Sequence, residues 1–315
     1  MKSHVITVTL NPALDKTVTI QRLDVGGLNR VQSVRLDPGG KGITVARVLN
    51  GFGVNVEATG LIAGSQGQRV LENLASEKIS ADFLTIKGET RTNLKIVDSS
   101  NNITTEINEA GFEVAARSMD AFKEKLSTLL NKASYLVLSG SLPPQVDSTI
   151  YRELIGMANN KGVKTILDAD GKALLEGIQA APFAIKPNIH ELEELAGYKM
   201  ANDQDIIRAA RKILAQGIEI IIVSMGSQGA IIMDKQETYR VRTSPIIPGS
   251  TVGAGDSMVA MLVYSRLNQY SLAETAQRVT AAGAVTASKP GTQVCLPVEV
   301  EHFLKYIQVE KIEYY

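Results

Sequence analysis

The feature that most constrains the fold is a repeated alternation of short, strand-like apolar runs with segments of helical periodicity. The strand-like runs are Val5–Leu10, Val54–Thr59, Tyr135–Leu138, Val163–Leu167, Phe183–Ile185 and Ile218–Val223. The helical segments include Lys41–Phe52, Gln66–Ser76, Asp147–Asn160 and Asp203–Gln216. Strands that are apolar along their whole length are typical of a parallel sheet covered by helices on both faces. The alternation therefore predicts an α/β fold with a doubly wound sheet.

Two pairs of segments depart from this pattern and alternate polar with apolar residues around Gly or Asn-Asn turns. They are Thr17–Leu23 with Asn29–Leu36, and Thr92–Val97 with Thr104–Asn108. Such alternation is typical of half-exposed antiparallel strands. We expect insertions at about residues 16–36 and 90–109 to form a small sheet that acts as a lid over one edge of the main domain. A non-functional antiparallel extension of the main sheet is the alternative.

Composition and charge exclude several classes of function. Lys+Arg and Asp+Glu both number 33, and a formal net charge of zero argues against a nucleic-acid-binding protein. One cysteine and three histidines provide neither a disulfide framework nor a cysteine- or histidine-rich metal centre. No stretch approaches the ~18 consecutive apolar residues of a transmembrane helix, and the N-terminus lacks a signal segment. We expect a cytoplasmic protein without a membrane partner.

The strongest local signal is Ser250–Ser257 (STVGAGDS), directly before the apolar helix Met258–Leu267. Small residues at a helix start let backbone N–H groups face an anion, and the helix dipole adds partial positive charge. Asp256 would be a poor neighbour for bound phosphate unless it takes a proton from a hydroxyl that attacks the phosphorus. A tight turn with Asp256 as a helix cap explains the same residues without a function.

Two better-known phosphate-binding motifs are absent from the sequence. No Gly-x-x-x-x-Gly-Lys-[Ser/Thr] segment occurs, which excludes a P-loop. After Gly253 and Gly255, Met258 stands where a dinucleotide-binding fingerprint requires Gly or Ala. A Rossmann dehydrogenase is therefore disfavoured.

Two clusters near the N-terminus favour binding of a polar ligand. Pro38–Gly42 (PGGKG) opens a helix, where three glycines allow close approach of the backbone and Lys41 adds a mobile positive charge. Asn11 and Asp15 follow a buried strand at the carboxyl edge of the predicted sheet, where open α/β sheets bind ligands. A carboxylate there suits sugar hydroxyls. A solvated Lys41 and a loop-capping Asp15 are the structural alternatives.

Two further clusters lie in the second half of the chain. In IKPNIHEL, Asn188 and Glu191 stand three residues apart beside Lys186. This spacing fits a helix capping box, and it also fits oxygen groups that organise hydrated Mg²⁺ and nucleotide phosphates. The segment Val223–Ala230 (VSMGSQGA) is a glycine-bearing turn, which a simple hairpin also explains.

Taken in order, eight segments resemble the ribokinase-like carbohydrate kinases, and the phosphofructokinase branch in particular. They are TLNPALD, PGGKGITVARVL, TRTNLKIVD, TEINEAGFEV, SGSLPP, IKPNIHELEELAG, VSMGSQGA and STVGAGDSMVA. The resemblance implies one kinase domain over residues 1–315, a three-layer α/β/α core with a mostly parallel sheet, and an antiparallel β-sheet lid. It implies a phosphotransferase that acts on an alcohol group and uses ATP and Mg²⁺. A monovalent cation near Ser250 and the 286–293 loop is left open.

The resemblance also implies roles for individual residues. Asp256 would be the general base, and the N–H groups of Gly253, Ala254 and Gly255 would form the anion hole. The sugar would contact Asp15, Gly39, Gly40 and Lys41, and the phosphate it already carries would contact Arg91 with Ser141 or Arg30. ATP and its Mg²⁺ would contact Lys186, Asn188 and Glu191, with Asn188 and Glu191 reaching the metal through water. The nucleotide would contact Ser224, Gly226, Gly229 and Thr251, with the helix Ala281–Ser288 beside the adenine.

The substrate expectation rests on charge and on the lid segments. Lys41 and Arg91 favour a phosphorylated sugar, and the lid segments are most similar to kinases that phosphorylate the 6-hydroxyl of fructose 1-phosphate. Tagatose 6-phosphate and fructose 6-phosphate are the alternative substrates, and a phosphosugar-binding regulator without turnover is the alternative of another class. Thr44 stands where the family commonly has Asn, so its contact with the sugar is open. A homodimer through the lid is also left open.

Overall fold

The computed structural model describes residues 4–101 and 103–313 of the chain. In this part of the chain, a sheet of eleven strands, here called the main sheet, forms the centre of the fold. Its strands lie in the order β15 (Ile307–Lys311), β14 (Thr238–Thr243), β13 (Ala230–Met233), β12 (Ile220–Ser224), β11 (Ala184–Ile185), β10 (Lys164–Asp168), β9 (Tyr135–Ser139), β1 (His4–Thr9), β4 (Asn55–Ala63) and β5 (Ser80–Ala81), with β6 (Leu84–Ile86) also paired to β4. Neighbouring strands pair in parallel from β12 along this order to β5, and β6 also pairs in parallel with β4. The strands β13, β14 and β15 join the sheet through antiparallel ladders.

Helices cover both faces of the main sheet. One face packs against α1 (Lys41–Gly51), α2 (Gly64–Ser76), α8 (Ala254–Leu267), α9 (Leu272–Ala287) and α10 (Pro297–Phe303). The other packs against α3 (Ala116–Leu130), α4 (Ile150–Asn159), α5 (Gly171–Ile178), α6 (Ile189–Ala196) and α7 (Asp203–Leu214). Successive side chains of a strand point to opposite faces, so Val5 of β1 joins the first hydrophobic core while Ile6 and Val8 join the second. The predicted three-layer α/β/α arrangement is confirmed.

A separate four-stranded sheet, here called the small sheet, has the order β3 (Val31–Gly39), β2 (Ala13–Ile20), β7 (Arg91–Asp98) and β8 (Ile103–Asn108). The strand register places Asp15 opposite Asn93 on one face. The other face carries apolar side chains that are 40–57% exposed, namely Val34, Leu36, Ile103 and Ile107. The small sheet is therefore amphipathic, and its apolar face is open to solvent.

The pairing of the small sheet corrects two expectations. In the described residues it shares no strand with the main sheet, so the alternative of an extended main sheet is wrong. The pairing is also not antiparallel throughout, because β2 and β7 run parallel between two antiparallel hairpins. Parallel neighbours need a long crossover, and here the crossover includes α1, β4 and α2. The alternation of polar and apolar residues along a strand does not indicate which distant strand will pair with it, so the sequence did not predict the parallel pairing of β2 with β7.

The helix α8 is apolar on all sides because it is enclosed by protein. Its residues from Met258 to Val263 are all buried, and it packs against both α1 and α9. This burial fixes the position of its first turn, which carries Asp256. Among the residues that the structure describes, no helix is both long and apolar enough to cross a membrane.

Candidate active site

A cavity of about 820 Å³ opens at the carboxyl edge of the main sheet. Its lining includes every residue predicted for the nucleotide and for catalysis: Lys186, Asn188, Glu191, Ser224, Gly226, Gly229, Thr251, Gly253, Ala254, Gly255 and Asp256. Lys41 is the one predicted sugar-binding residue among the residues that line it. The structure thus gathers four separate sequence segments into one site.

One part of the cavity lining is made of small and apolar residues. Thr280, Gly283, Ala284 and Ala287 line it from α9, at the spacing of one helix face. Pro245, Ile246 and Pro248 line it from the loop after β14. An apolar lining of small side chains suits a nucleobase, and the predicted contact with the helix Ala281–Ser288 corresponds to this face of α9.

The first turn of α8 forms the polar end of the cavity. Gly253 precedes the helix with φ of +79°, a conformation that other residues adopt at a cost. Of the three N–H groups predicted for the anion hole, that of Ala254 donates a hydrogen bond to the carbonyl oxygen of Thr251 at 3.3 Å. Asp256 lies in that turn with 7% of its surface exposed. Burial, together with the negative charge of Asp168, raises the pKa of Asp256 to about 7. Such a carboxyl group exchanges a proton near neutral pH.

Two lysines border Asp256 and share one carboxylate. The Nζ atoms of Lys41 and Lys186 lie 3.4 and 3.3 Å from Oδ1 of Asp168. The negative charge of Asp168 raises the pKa of Lys41, so this ammonium group is charged at neutral pH. A Cβ on Gly255 would lie only 3.1 Å from Lys186 Nζ. The glycine therefore allows Lys186 to approach the start of α8.

Asn188 and Glu191 form a capping box at the start of α6. Asn188 Oδ1 accepts a hydrogen bond from the Glu191 N–H at 2.9 Å, and Glu191 Oε2 accepts one from the Asn188 N–H at 2.8 Å. Burial raises the pKa of Glu191. In the described residues, no group of three or more His, Cys, Asp and Glu side chains is placed to hold a metal ion. The two residues keep further acceptor capacity toward the cavity, which fits a metal that arrives on nucleotide phosphates and is contacted through water.

The predicted sugar-binding residues adjoin the cavity beside Lys41. Asp15 is buried, and its two oxygens accept hydrogen bonds from Asn93 Nδ2 at 3.0 Å and Lys95 Nζ at 3.1 Å. A Cβ on Gly39 would come within 2.5 Å of Asp15 Oδ1, so only glycine permits this packing. Gly40 follows and leads directly into Lys41. Asp15 is thus connected to the cavity through three consecutive residues.

Arg91 and Ser141 meet at the far side of the sugar-binding cluster. Arg91 donates hydrogen bonds to the backbone oxygens of Glu109 and Asn11 at 3.1 and 3.2 Å, and its guanidinium lies 3.5 Å from Ser141 Oγ. A guanidinium fixed in this way presents its fork to an anion. Arg30 lies away from this cluster within the same chain. It precedes Val31, which pairs with Ile20 at one end of the β2–β3 ladder, whereas Arg91 pairs with Ala13 at the other end.

Sequence reasoning missed Asp168, Asn93 and Lys95 as members of the site. Asp168 ends a buried strand at the ligand-binding edge of the sheet, and this position alone could have identified it. Lys95 and Asn93 lie on a strand predicted only as part of the lid, and their contact with Asp15 depends on the parallel pairing of β2 and β7. Thr44 was left without a role. Its hydroxyl lies beside Asp256 and acts to lower the pKa of that carboxyl group, against the larger effect of burial.

Comparisons with known proteins agree with this arrangement. The sequence model of the pfkB family of carbohydrate kinases matches residues 8–299. A 1-phosphofructokinase of Xanthomonas campestris is 36% identical over 297 residues, which cover 92% of this chain and 93% of the relative. A tagatose-6-phosphate kinase of Staphylococcus epidermidis is 34% identical over 98% of this chain and 100% of the relative. The solved structure of phosphofructokinase-2 from Escherichia coli in complex with potassium superposes with a TM-score of 0.91 at 29% identity, covering 97% of this chain and 99% of the other.

Proposed function

The chain belongs to the pfkB family of carbohydrate kinases, and on that premise we propose that it transfers the γ-phosphoryl group of ATP to the 6-hydroxyl of fructose 1-phosphate. At the coarser level it is a sugar-phosphate kinase, a phosphotransferase that acts on an alcohol group. The proposal treats the whole chain as one kinase domain and the small sheet as its lid. It places the enzyme in the cytoplasm.

The observation that carries the proposal is the position of Asp256. Its buried carboxyl group stands at the start of α8, beside Lys186 on the nucleotide side and Lys41 on the sugar side. The pKa of about 7 keeps a substantial fraction of the group ionised at neutral pH and also makes it basic enough to accept a proton. A sensor protein without turnover would not need such a base at a site for phosphate.

In the proposed reaction, Asp256 takes the proton of the sugar hydroxyl as the hydroxyl oxygen attacks the γ-phosphorus of ATP. The bond from the γ-phosphorus to the bridging oxygen of ADP breaks, and that oxygen keeps the electron pair. In this reaction the N–H groups of Gly253, Ala254 and Gly255 stabilise the negative charge on the transferred phosphoryl oxygens, for which the Ala254 N–H would exchange its hydrogen bond to Thr251. The dipole of α8 adds to this stabilisation. Lys186 neutralises charge from the other side.

The nucleotide site is assigned from the cavity lining. Ser224, Gly226, Gly229 and Thr251 border the nucleotide, and the small-residue face of α9 contacts the adenine. Mg²⁺ would neutralise charge on the ATP phosphates, with Asn188 and Glu191 holding its water ligands. A monovalent cation is proposed near Ser250, whose N–H bonds to the carbonyl oxygen of Ala287. The E. coli phosphofructokinase-2 structure in complex with potassium supports the presence of a monovalent cation, whereas the position near Ser250 is part of the proposal.

The sugar phosphate is proposed to lie between Arg91 and Asp256. Arg91 and Ser141 bind the phosphate already present, and Asp15, Gly39, Gly40 and Lys41 bind the sugar hydroxyls and ring. In this pose the unphosphorylated end of the sugar reaches Asp256. The lid segments TRTNLKIVD and TEINEAGFEV favour fructose 1-phosphate, whereas the relative from S. epidermidis keeps tagatose 6-phosphate as the second candidate.

We also propose that two copies associate through the apolar face of the small sheet. Val34, Leu36, Ile103 and Ile107 form an exposed apolar surface that a second copy would cover. Because Arg30 lies at the far end of the β2–β3 ladder, it could contact a sugar phosphate only from such a second copy.

The test is ADP formation by the purified chain with ATP and Mg²⁺ in potassium buffer, against fructose 1-phosphate, fructose 6-phosphate, tagatose 6-phosphate, fructose and ribose. We expect kcat/KM for fructose 1-phosphate to exceed every other value at least tenfold. Higher kcat/KM with tagatose 6-phosphate or fructose 6-phosphate would overturn the substrate. Tight binding of one sugar phosphate with no ADP formed from any would overturn the kinase assignment in favour of a regulator.

A further inference from the structure

Asp168 is a buried charge for which the reaction described above has no role. It ends β10 at the carboxyl edge of the main sheet and lines the cavity, although only 1% of its side chain is exposed. Burying a carboxylate is costly, and a buried ion pair is often no more stabilising than apolar residues of the same size. Such groups concentrate at functional sites. A role in the reaction accounts for Asp168 better than a role in stability.

One carboxylate oxygen of Asp168 contacts two lysine side chains from different parts of the fold. Its Oδ1 lies 3.4 Å from Nζ of Lys41, the first residue of α1, and 3.3 Å from Nζ of Lys186, which directly follows β11. Both distances exceed the roughly 2.7–2.9 Å of an optimised charge-assisted hydrogen bond. The two ammonium groups are therefore held near the carboxylate without being fully engaged by it.

The two lysines lie on opposite sides of the reaction. Lys41 continues the Gly39–Gly40 segment that packs on Asp15, whereas Lys186 approaches the start of α8 over Gly255. Without an anion between them, the buried ammonium group of Lys186 and the partly exposed one of Lys41 repel each other. A carboxylate shared by both keeps them together and leaves a net positive charge for the phosphoryl group.

We infer that Asp168 is a positioning residue that holds Lys41 and Lys186 on the two sides of the path along which the phosphoryl group passes to the sugar. This inference rests on the proposed function. It assigns to Asp168 no contact with the reacting atoms.

The same charge acts on the general base. The charged groups around Asp256 are Asp168 from β10, Lys41 from α1 and Lys186 after β11, and the first of these raises the pKa of Asp256 while the two lysines lower it. Removing the charge of Asp168 should therefore lower the pKa of Asp256. Removing the charge of a buried carboxylate remote from Asp256 would leave that pKa unchanged.

The test is the substitution Asp168→Asn, with kcat and both KM values measured from pH 5 to 9. We expect kcat to fall at least tenfold because the lysines lose their positions. KM for ATP–Mg²⁺ should stay within twofold of wild type, because removing a negative charge near the triphosphate offsets the weaker contact of the displaced Lys186. The acid limb of the kcat profile should move to lower pH.

Glu57→Gln is the matched control. Glu57 is also buried and also lies within hydrogen-bonding distance of two basic side chains, Lys132 and His4, but it stands near the start of β4, at the opposite edge of the sheet. We expect Glu57→Gln to have the kcat of wild type, with the acid limb of its kcat profile at the wild-type pH. A wild-type kcat in Asp168→Asn would overturn the inference. A loss of kcat with both KM values raised and the acid limb unmoved would also overturn it, because that pattern indicates a structural role.

A second variant covers the case in which Asp168→Asn does not fold, as judged by circular dichroism. Asp168→Glu keeps the charge but displaces it by one methylene, so kcat should fall at least fivefold with the acid limb at the wild-type pH. A kcat within twofold of wild type would overturn the inference. Wild-type turnover of the sugar phosphate is measured first, because its absence contradicts the proposed function and not the role of Asp168.

Discussion

The ammonium group of Lys95 lies 3.1 Å from the carboxylate of Asp15, and both side chains are more than nine-tenths buried. Asn93 binds the other oxygen of the same carboxylate at 3.0 Å. The parallel register of β2 and β7 produces both contacts, because it sets Asn93 opposite Asp15 and places Lys95 two residues further along the same face. The Asp15 carboxylate is therefore oriented before a sugar binds.

We expect Lys95→Met to raise KM for the sugar phosphate by about 10- to 100-fold, because the Asp15 carboxylate would lose its cation and its fixed orientation. KM for ATP–Mg²⁺ should stay within twofold of wild type, because Lys95 lies on the small sheet. Steady-state kinetics with each substrate varied in turn measure both values. Lys212→Met is the control, since Lys212 is exposed on α7. Equal KM values for Lys95→Met and Lys212→Met would contradict the role of the pair.

Arg91→Ala should weaken recognition of the phosphate on the sugar. Loss of a charged hydrogen-bonding fork costs about 1.5–3 kcal/mol, so KM for the sugar phosphate should rise by about 10- to 150-fold. The preference for fructose 1-phosphate over fructose should fall by a similar factor, because fructose makes no phosphate contact. Arg117→Ala changes an exposed arginine and should retain wild-type kinetics. An unchanged preference in Arg91→Ala would place the phosphate elsewhere.

Activity and stability should respond to pH in opposite directions through Asp256. The folded-state pKa of about 7 lies above the usual 3.8, so the folded protein binds this proton more tightly than the unfolded chain. Between these two values, ionisation of Asp256 makes the folded state progressively less stable as pH rises, by at most about 4 kcal/mol. In the proposed reaction the ionised form of Asp256 is the active one, so kcat should rise as pH increases through about 7.

The variant Asp256→Asn separates these two effects. At pH 8 it lacks the buried charge and should unfold at a higher temperature than wild type, whereas at pH 5 the difference should shrink because Asp256 is then protonated. Thermal unfolding by circular dichroism at both pH values measures this difference. A lower melting temperature than wild type at pH 8 would contradict the burial of an ionised Asp256.

Association through the small sheet makes a prediction about size in solution. Val34→Lys places a charge on the apolar face of the small sheet and should convert a dimer into a monomer, as measured by light scattering coupled to size-exclusion chromatography. Leu175→Lys changes a side chain on α5 that is 46% exposed, against 55% for Val34, and should leave the mass unchanged. A wild-type chain that is monomeric at micromolar concentration would contradict the proposed interface.

The parts of the site that sequence could predict are those fixed by local patterns. The alternation of strand-like runs and helical segments placed Asp15 at the carboxyl edge of the sheet. The three-residue spacing of Asn188 and Glu191 predicted the capping box that the structure contains. The contacts of Asp168 with Lys41 and of Asp15 with Lys95 join residues 127 and 80 positions apart. Such contacts depend on strand order and register, which local residue patterns do not encode.

The measurement that tests the account most directly compares wild type with Asp256→Asn in forming fructose 1,6-bisphosphate from fructose 1-phosphate and ATP–Mg²⁺. General-base catalysis contributes about 10²- to 10⁴-fold, so we expect turnover to fall by at least that lower factor. Calorimetry should show fructose 1-phosphate binding within threefold of wild type, because Asp256 acts on the hydroxyl at the other end of the sugar. Unchanged turnover in Asp256→Asn would contradict the role of Asp256 as the base.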